Sequence, residues 1–137
     1  MQKTKKFSRV IIKNELEQYL VVIHPNGQCN FPGGKIEEYE NAEQAARRET
    51  YEEVGIQVKD LKLVLNNNFP LGENIWDGYF FTCKSYNGNI INNEPEKLLE
   101  VGFKDKEWVI KNGPKMFVAD IIDFLDKSTQ KTTKLRV

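Results

Sequence analysis

The sequence is poor in the residues that build closed metal or redox sites. It holds one histidine, His24, and two cysteines, Cys29 and Cys83, without CxxC spacing. A zinc site or a disulfide framework therefore gives way to two ordinary reduced thiols. No sign of charge prevails either, since 20 Lys and Arg balance 20 Asp and Glu. That balance leaves no global field to draw in a nucleic-acid polymer or a membrane surface, so any phosphate chemistry has to come from a local site. No apolar run approaches the roughly 20 residues that span a bilayer. None follows the basic start "MQKTKKFSRV" in the way of a signal peptide, and a cytoplasmic protein is expected. Internal repeats, linkers and low-complexity blocks are absent. At 137 residues and 39% hydrophobic, the chain suits one core and one domain, 1–137, with the polar stretch from about 127 onward a loose tail.

What is present reads as strands and two helices. "FSRVIIK" (7–13) and "QYLVVIH" (18–24) are rich in β-branched and aromatic residues, and the polar "NELE" between them predicts a hairpin. "HPNGQ" reads as a turn. "IQVKDLKLVL" and "NIWDGYFFTCK" read as further strands, "YNGN" (86–89) as another hairpin turn, and "KEWVI" (106–110) as one more strand. After Gly113-Pro114, the spacing of Phe117, Ile121, Phe124 and Leu125 predicts a packing helix. Strands, helix, strands, helix, joined by hairpins, predict a mixed α+β sandwich.

The segment "GGKIEEYENAEQAARRETYEEVGI" (33–56) concentrates seven glutamates. Asn41 is a good N-cap, Gln44 completes a capping box and Gly55 suits the left-handed stop, so a helix is predicted at about 42–54. At about 100° per residue, with Glu49 at zero, Glu52 lies near about −60° and Glu53 near about +40°. Ala42, Ala45 and Ala46 project onto the same face, whereas a merely solvated acidic face should lie opposite the small apolar residues. Three like charges at i, i+3 and i+4 repel unless something positive joins them. A divalent cation, an unusually phased solvated face and a basic partner are the three explanations. Oxygen ligands without a Cys or His cluster suit Mg²⁺ or Mn²⁺, which bind through a few carboxylates together with substrate phosphates.

The residues that follow one another here are Gly34, Glu40, Arg48-Glu49, Glu52-Glu53, Gly55 and Ile56. This series resembles the Nudix box, and "FPGGKIE" ahead of it is similar to the approach in the MutT-like branch of that family. Two positions depart from the pattern: Thr50 where an aliphatic residue is usual, and Tyr39 where the loop usually has glycine. The resemblance implies a Nudix-type α/β/α sandwich with a mixed sheet. It also implies Mg²⁺- or Mn²⁺-dependent hydrolysis of a diphosphate linkage in a nucleotide. Carried over by position, Glu49, Glu52 and Glu53 would hold metal, and the Gly34 carbonyl could add a ligand. Arg48 with Glu40 would brace the loop, and Glu52 or Glu49 would serve in catalysis alongside Arg48.

The later segment "NNEPEKLLEVGF" resembles a loop in Nudix enzymes acting on nucleoside triphosphates, in which a glutamate outside the box binds metal or acts as base. Glu94 and Glu96 are the candidates, with Glu100 behind them; an acidic surface loop is the alternative. Lys35 is a candidate phosphate contact, and Phe31 and Tyr79, like Phe69 and Trp76, are candidates for stacking on a base. His24, at a strand end before a turn, is read as structural. The expected substrate is a nucleoside triphosphate, ordinary or oxidised, cleaved to monophosphate and pyrophosphate by a monomer or homodimer. ADP-ribose or a nucleotide-sugar is the runner-up, for which Pro70 is a weak hint. A non-enzymatic ligand-sensing module is the third reading, disfavoured by the intact charged positions of the box.

Overall fold

The computed structural model describes residues 5–135, with side chains described through residue 128. In chain order the strands and helices are β1 (Lys5–Ile11), β2 (Tyr19–Ile23), β3 (Cys29–Asn30), β4 (Gly33–Lys35), α1 (Ala42–Val54), β5 (Gln57–Leu71), β6 (Asn74–Asn87), β7 (Glu100–Lys104), α2 (Lys106–Asn112) and α3 (Ala119–Leu135).

Two sheets carry the fold. One has the order β4-β1-β6-β5, and the other has the order β3-β2-β7. β1 runs parallel to β6 and antiparallel to β4, which makes the larger sheet mixed. Alternation along the strands sends side chains to two cores. Phe7 and Ile11 of β1 and Tyr19, Val21 and Ile23 of β2 pack with Val109, Phe117, Val118, Ile121 and Ile122 from the α2–α3 side. Val10, Leu20 and Val22 pack with Ala46 and Val54 of α1 on the opposite side. Every residue of "YLVVI" is buried, as a strand covered on both faces requires. The arrangement is the expected α/β/α sandwich of α+β class.

Four sequence expectations change. The reversal at "NELE" forms locally, with the Asn14 side chain accepting from the backbone N–H groups of Leu16 and Gln18 and a single bridge between Lys13 and Tyr19. Its two strands nevertheless part into different sheets, because β1 is claimed by β4 and β6. "KEWVI" is not a strand but the start of α2, anchored by buried Val109. "YNGN" does not turn into a hairpin: Gly88 has positive φ, but the chain runs on without a partner strand. The real hairpin joins β5 to β6 through Gly72. α3 continues to Leu135, so most of the segment read as a loose tail extends that helix, and residues 136–137 lie outside the described residues.

Candidate active site

α1 is fixed at both ends by local chemistry. The Asn41 side chain accepts from the Gln44 N–H at 2.8 Å, and the Gln44 side chain accepts from the Asn41 N–H at 2.8 Å. Gly55 closes the helix in the left-handed region at φ 76°. With the rotation fixed, buried Ala45 and Ala46 seat the helix on the sheet, and the three carboxylates fall at graded depths. Glu53 is buried, Glu49 half-buried and Glu52 exposed.

The Glu53 carboxylate accepts the Gly33 N–H at 2.8 Å. Burial pushes its pKa up to about 7, opposed by that hydrogen bond and by the Arg9 charge. Burial also raises Glu49, with Arg48 opposing. Arg48 is the positive group that joins the cluster within the chain itself. It grips Glu40 with Nη2 at 2.6 Å and Nε at 3.0 Å. It reaches Glu49 at 2.9 Å and Glu52 at 3.2 Å through Nη1, and the Lys35 carbonyl at 3.1 Å. The two-pronged Arg48 contact holds the Glu40 carboxyl below its ordinary range and ties the loop before α1 to the helix.

A second segment is delivered to this face by the end of α1. The backbone N–H groups of Ile91 and Asn93 donate to the carbonyls of Val54 and Glu53, each at 3.0 Å, so the loop after β6 satisfies carbonyls the helix leaves open. Its far end is pinned by buried Leu98 and by the Leu99 N–H on the Ile23 carbonyl at 2.8 Å. Glu94 thereby comes within electrostatic reach of Glu49 and Glu53. Glu96, two residues on, is exposed. Glu100, in β7, is also exposed.

The remaining candidates divide. Gly34 lies against Glu49, and a Cβ there would sit 2.6–2.9 Å from the carboxyl atoms. Phe31 is fully buried and packs on Tyr19, so its ring is core and not an open stacking surface. Phe69 is likewise core. Tyr79 lies on the α1-facing side of the sheet, its hydroxyl donating to Asp77 at 2.9 Å. It lines, with Lys35, Leu63 and the loop from Ile36 to Asn41, a cavity of about 1300 Å³ that none of Glu49, Glu52 and Glu53 lines. Pro70 sits in the edge strand β5, where a missing N–H is tolerated.

Among the described residues no three carboxylate, imidazole or thiol groups stand close enough to enclose an ion by themselves. The donor set nevertheless fits a hard divalent cation. It is all oxygen, two of its carboxylates are desolvated, and the glycine at 34 keeps one of them against the backbone. Mg²⁺ is usually held by one or two carboxylates together with substrate phosphates, a preference that an open half-site of this kind matches.

Sequence reasoning missed Arg9. Its side chain shares the inward face of β1 with Phe7 and Ile11, and its signal was a charge placed on the buried phase of an otherwise apolar strand. Nη1 donates to the Phe31 carbonyl at 2.8 Å, and Glu53 and Glu49 both act on its charge.

A model of the NUDIX domain matches residues 6–121. The chain is 30% identical over 92 residues to the 8-oxo-dGTP diphosphatase of Haemophilus influenzae, a match covering 64% of this chain and 68% of that protein. It is 34% identical over 80 residues to the NAD-capped RNA hydrolase NudC of Citrobacter koseri, covering 58% of this chain and 30% of that protein, so it spans less than a third of that relative. The crystal structure of the MutT protein from Methanosarcina mazei has a TM-score of 0.74 at 20% identity, over 96% of this chain and 98% of that one. That likeness is one of fold.

Proposed function

The chain belongs to the NUDIX domain family, and from that premise we propose that it is a MutT-like hydrolase that cuts nucleoside triphosphates to monophosphate and pyrophosphate with Mg²⁺ or Mn²⁺. The observation that carries this reading is the graded set Glu53, Glu49 and Glu52, with Glu53 held on the Gly33 N–H, Glu49 against Gly34, and Arg48 joining Glu49 to Glu52. The named activity of the Haemophilus influenzae relative supports the triphosphate.

Divalent ions are in general use among hydrolases of this family; when bound, the cation neutralises phosphate charge and acidifies water. Glu49, Glu52, Glu53, the Gly34 carbonyl and Glu94 would hold it. The chain's own contributions are then distinct. The Gly33 N–H fixes the orientation of Glu53. Arg48 holds the loop through Glu40 and keeps Glu49 and Glu52 from splaying. Glu52, the carboxylate open to solvent, takes a proton from the attacking water. Water adds its oxygen to the β-phosphorus as the bridging oxygen departs with the monophosphate.

The test is a panel of nucleoside triphosphates, ordinary and oxidised, in ¹⁸O-water with Mg²⁺ or Mn²⁺. Monophosphate and pyrophosphate should appear with label in the pyrophosphate. Glu53→Gln, which keeps an acceptor for the Gly33 N–H, should fold and lose about 10²-fold or more in kcat. Orthophosphate as the sole product, or full activity in that variant, would overturn the reading. A diphosphate joining a nucleoside to another moiety, as in ADP-ribose or a nucleotide-sugar, is the second reading, favoured by the NudC match; turnover of NAD or ADP-ribose in preference to any triphosphate would select it.

A further inference from the structure

Two arginines flank the carboxylates, and they differ in what the chain asks of them. Arg48 commits Nε, Nη1 and Nη2 to Glu40, Glu49, Glu52 and the Lys35 carbonyl. Among the described residues Arg9 donates only from Nη1, to the Phe31 carbonyl. Its Nε is buried without an acceptor, a state that costs free energy in a finished interior. Nε itself is covered, while the residue as a whole keeps part of its surface open.

The fold has made room for this side chain. In β1, Arg9 pairs with Gly33 of β4 and Phe80 of β6. A Cβ on Gly33 would meet the Arg9 Cα at 2.6 Å and its Cγ at 2.8 Å. The same Gly33 gives its N–H to Glu53, so the arginine stem and the deepest carboxylate share one glycine. The guanidinium also lies 5.6 Å from the Phe7 ring centroid, a weakly hydrated setting that suits a guanidinium better than an ammonium. No carboxylate forms an ion pair with it among the described residues; Glu53 and Glu49 act on it only from a distance.

We propose that Arg9 is a phosphate-binding residue of this site, its unpartnered guanidinium edge taking non-bridging oxygens of a diphosphate on the sheet side of Glu49 and Glu53. A phosphate chain approaching those carboxylates meets repulsion that a cation offsets on the helix side, and Arg9 supplies the fixed positive charge on the other. A planar fork with one arm already tethered loses little freedom when it grips an oxyanion. The inference rests on the hydrolase reading of the site, and its test does not require turnover.

The probe is inorganic pyrophosphate, titrated with and without Mg²⁺. In ¹⁵N NMR of the unaltered protein, the Arg9 Nε–H, assigned by its loss in Arg9→Lys, should shift and exchange more slowly as pyrophosphate is added. Arg9→Met should bind pyrophosphate about 10- to 100-fold more weakly by calorimetry, the range for a hydrogen bond to a charged group. It should also raise KM for a triphosphate more than it lowers kcat. A merely structural tether to Phe31 would shift the melting temperature of Arg9→Met and leave both the Nε–H response and pyrophosphate affinity unchanged, which would overturn the proposal. An unresponsive Nε–H in the unaltered protein overturns it even if Arg9→Met does not fold. Should the Nε–H respond while no triphosphate is hydrolysed, the phosphate site stands and the triphosphate reading falls.

Discussion

Two adjacent glycines predict opposite consequences for the same substitution. A Cβ added at Gly34 would lie 2.6 Å from the Glu49 carboxyl carbon. Reaching ordinary contact requires that carboxyl to move by about 0.8 Å. Glu49 is the far end of a flexible side chain, so the move is cheap in stability, and Gly→Ala at a compatible backbone can itself add about 0.4–1 kcal/mol. Displacing a functional group by roughly 1 Å costs on the order of 10²-fold in rate, which is about 2.7 kcal/mol of barrier. Gly34→Ala should therefore melt within a few degrees of the parent and lose about two orders of magnitude in kcat. At Gly33 the added Cβ would sit 2.1 Å from the Ser8 carbonyl oxygen, at a φ of 149°. Backbone cannot yield there as a side-chain tip can, so Gly33→Ala should cost stability first, by about 3 kcal/mol or more. Calorimetric melting and steady-state kinetics of the pair decide the matter. A folded Gly34→Ala with full activity would show that the position of Glu49 does not matter to the reaction.

Other outcomes follow from the same geometry. Because Glu94 is half-buried and acts on Glu49 and Glu53, while Glu96 is exposed, Glu94→Gln should lower turnover and Glu96→Gln should leave it unchanged; the reverse pattern would move the loop's role two residues along. Millimolar Mg²⁺ or Mn²⁺ should raise the melting temperature, by the equivalent of about 2.7 kcal/mol at 100 times Kd, and a flat melting point would return the carboxylates to a solvated face. Arg48 lowers the Glu40 pKa below 4.5, so this pair's stabilisation is present above that pH and is lost as pH falls through the depressed value. The melting-temperature gap between the parent and Glu40→Gln should accordingly be full at pH 7 and close in acid below about 4.5; a gap that persists there would argue against the charge pair as its origin.

How much of this was legible in the sequence depends on the range of the forces involved. The boundaries of α1 were legible because a capping box, a left-handed glycine and helical phase are all local, and the structure places the helix where those signals put it. The clustering of Glu49, Glu52 and Glu53 followed from the same phase. Their separation into buried, half-buried and exposed did not, since depth depends on what packs over the helix. "KEWVI" is expected as a strand and is a helix, because five residues with an apolar middle fit either period and the packing of Val109 against the far core selects the helical one. The hairpins expected at "NELE" and "YNGN" do not join paired strands: the chain reverses at the first, but its strands part into different sheets, and it runs on at the second. Which strand lies beside which is a long-range choice, and β1 resolves it by joining β4 and β6. Phe31 had the composition of a stacking residue, and tertiary burial made it core. The distinction between Glu94 and Glu96 came from two backbone hydrogen bonds to the end of α1. The sequence by itself determined the acidic helix and its caps. Only the tertiary structure decided which glutamate joins it from the later loop, and that Arg9 stands behind it with a donor to spare, because both depend on contacts between segments far apart in the chain.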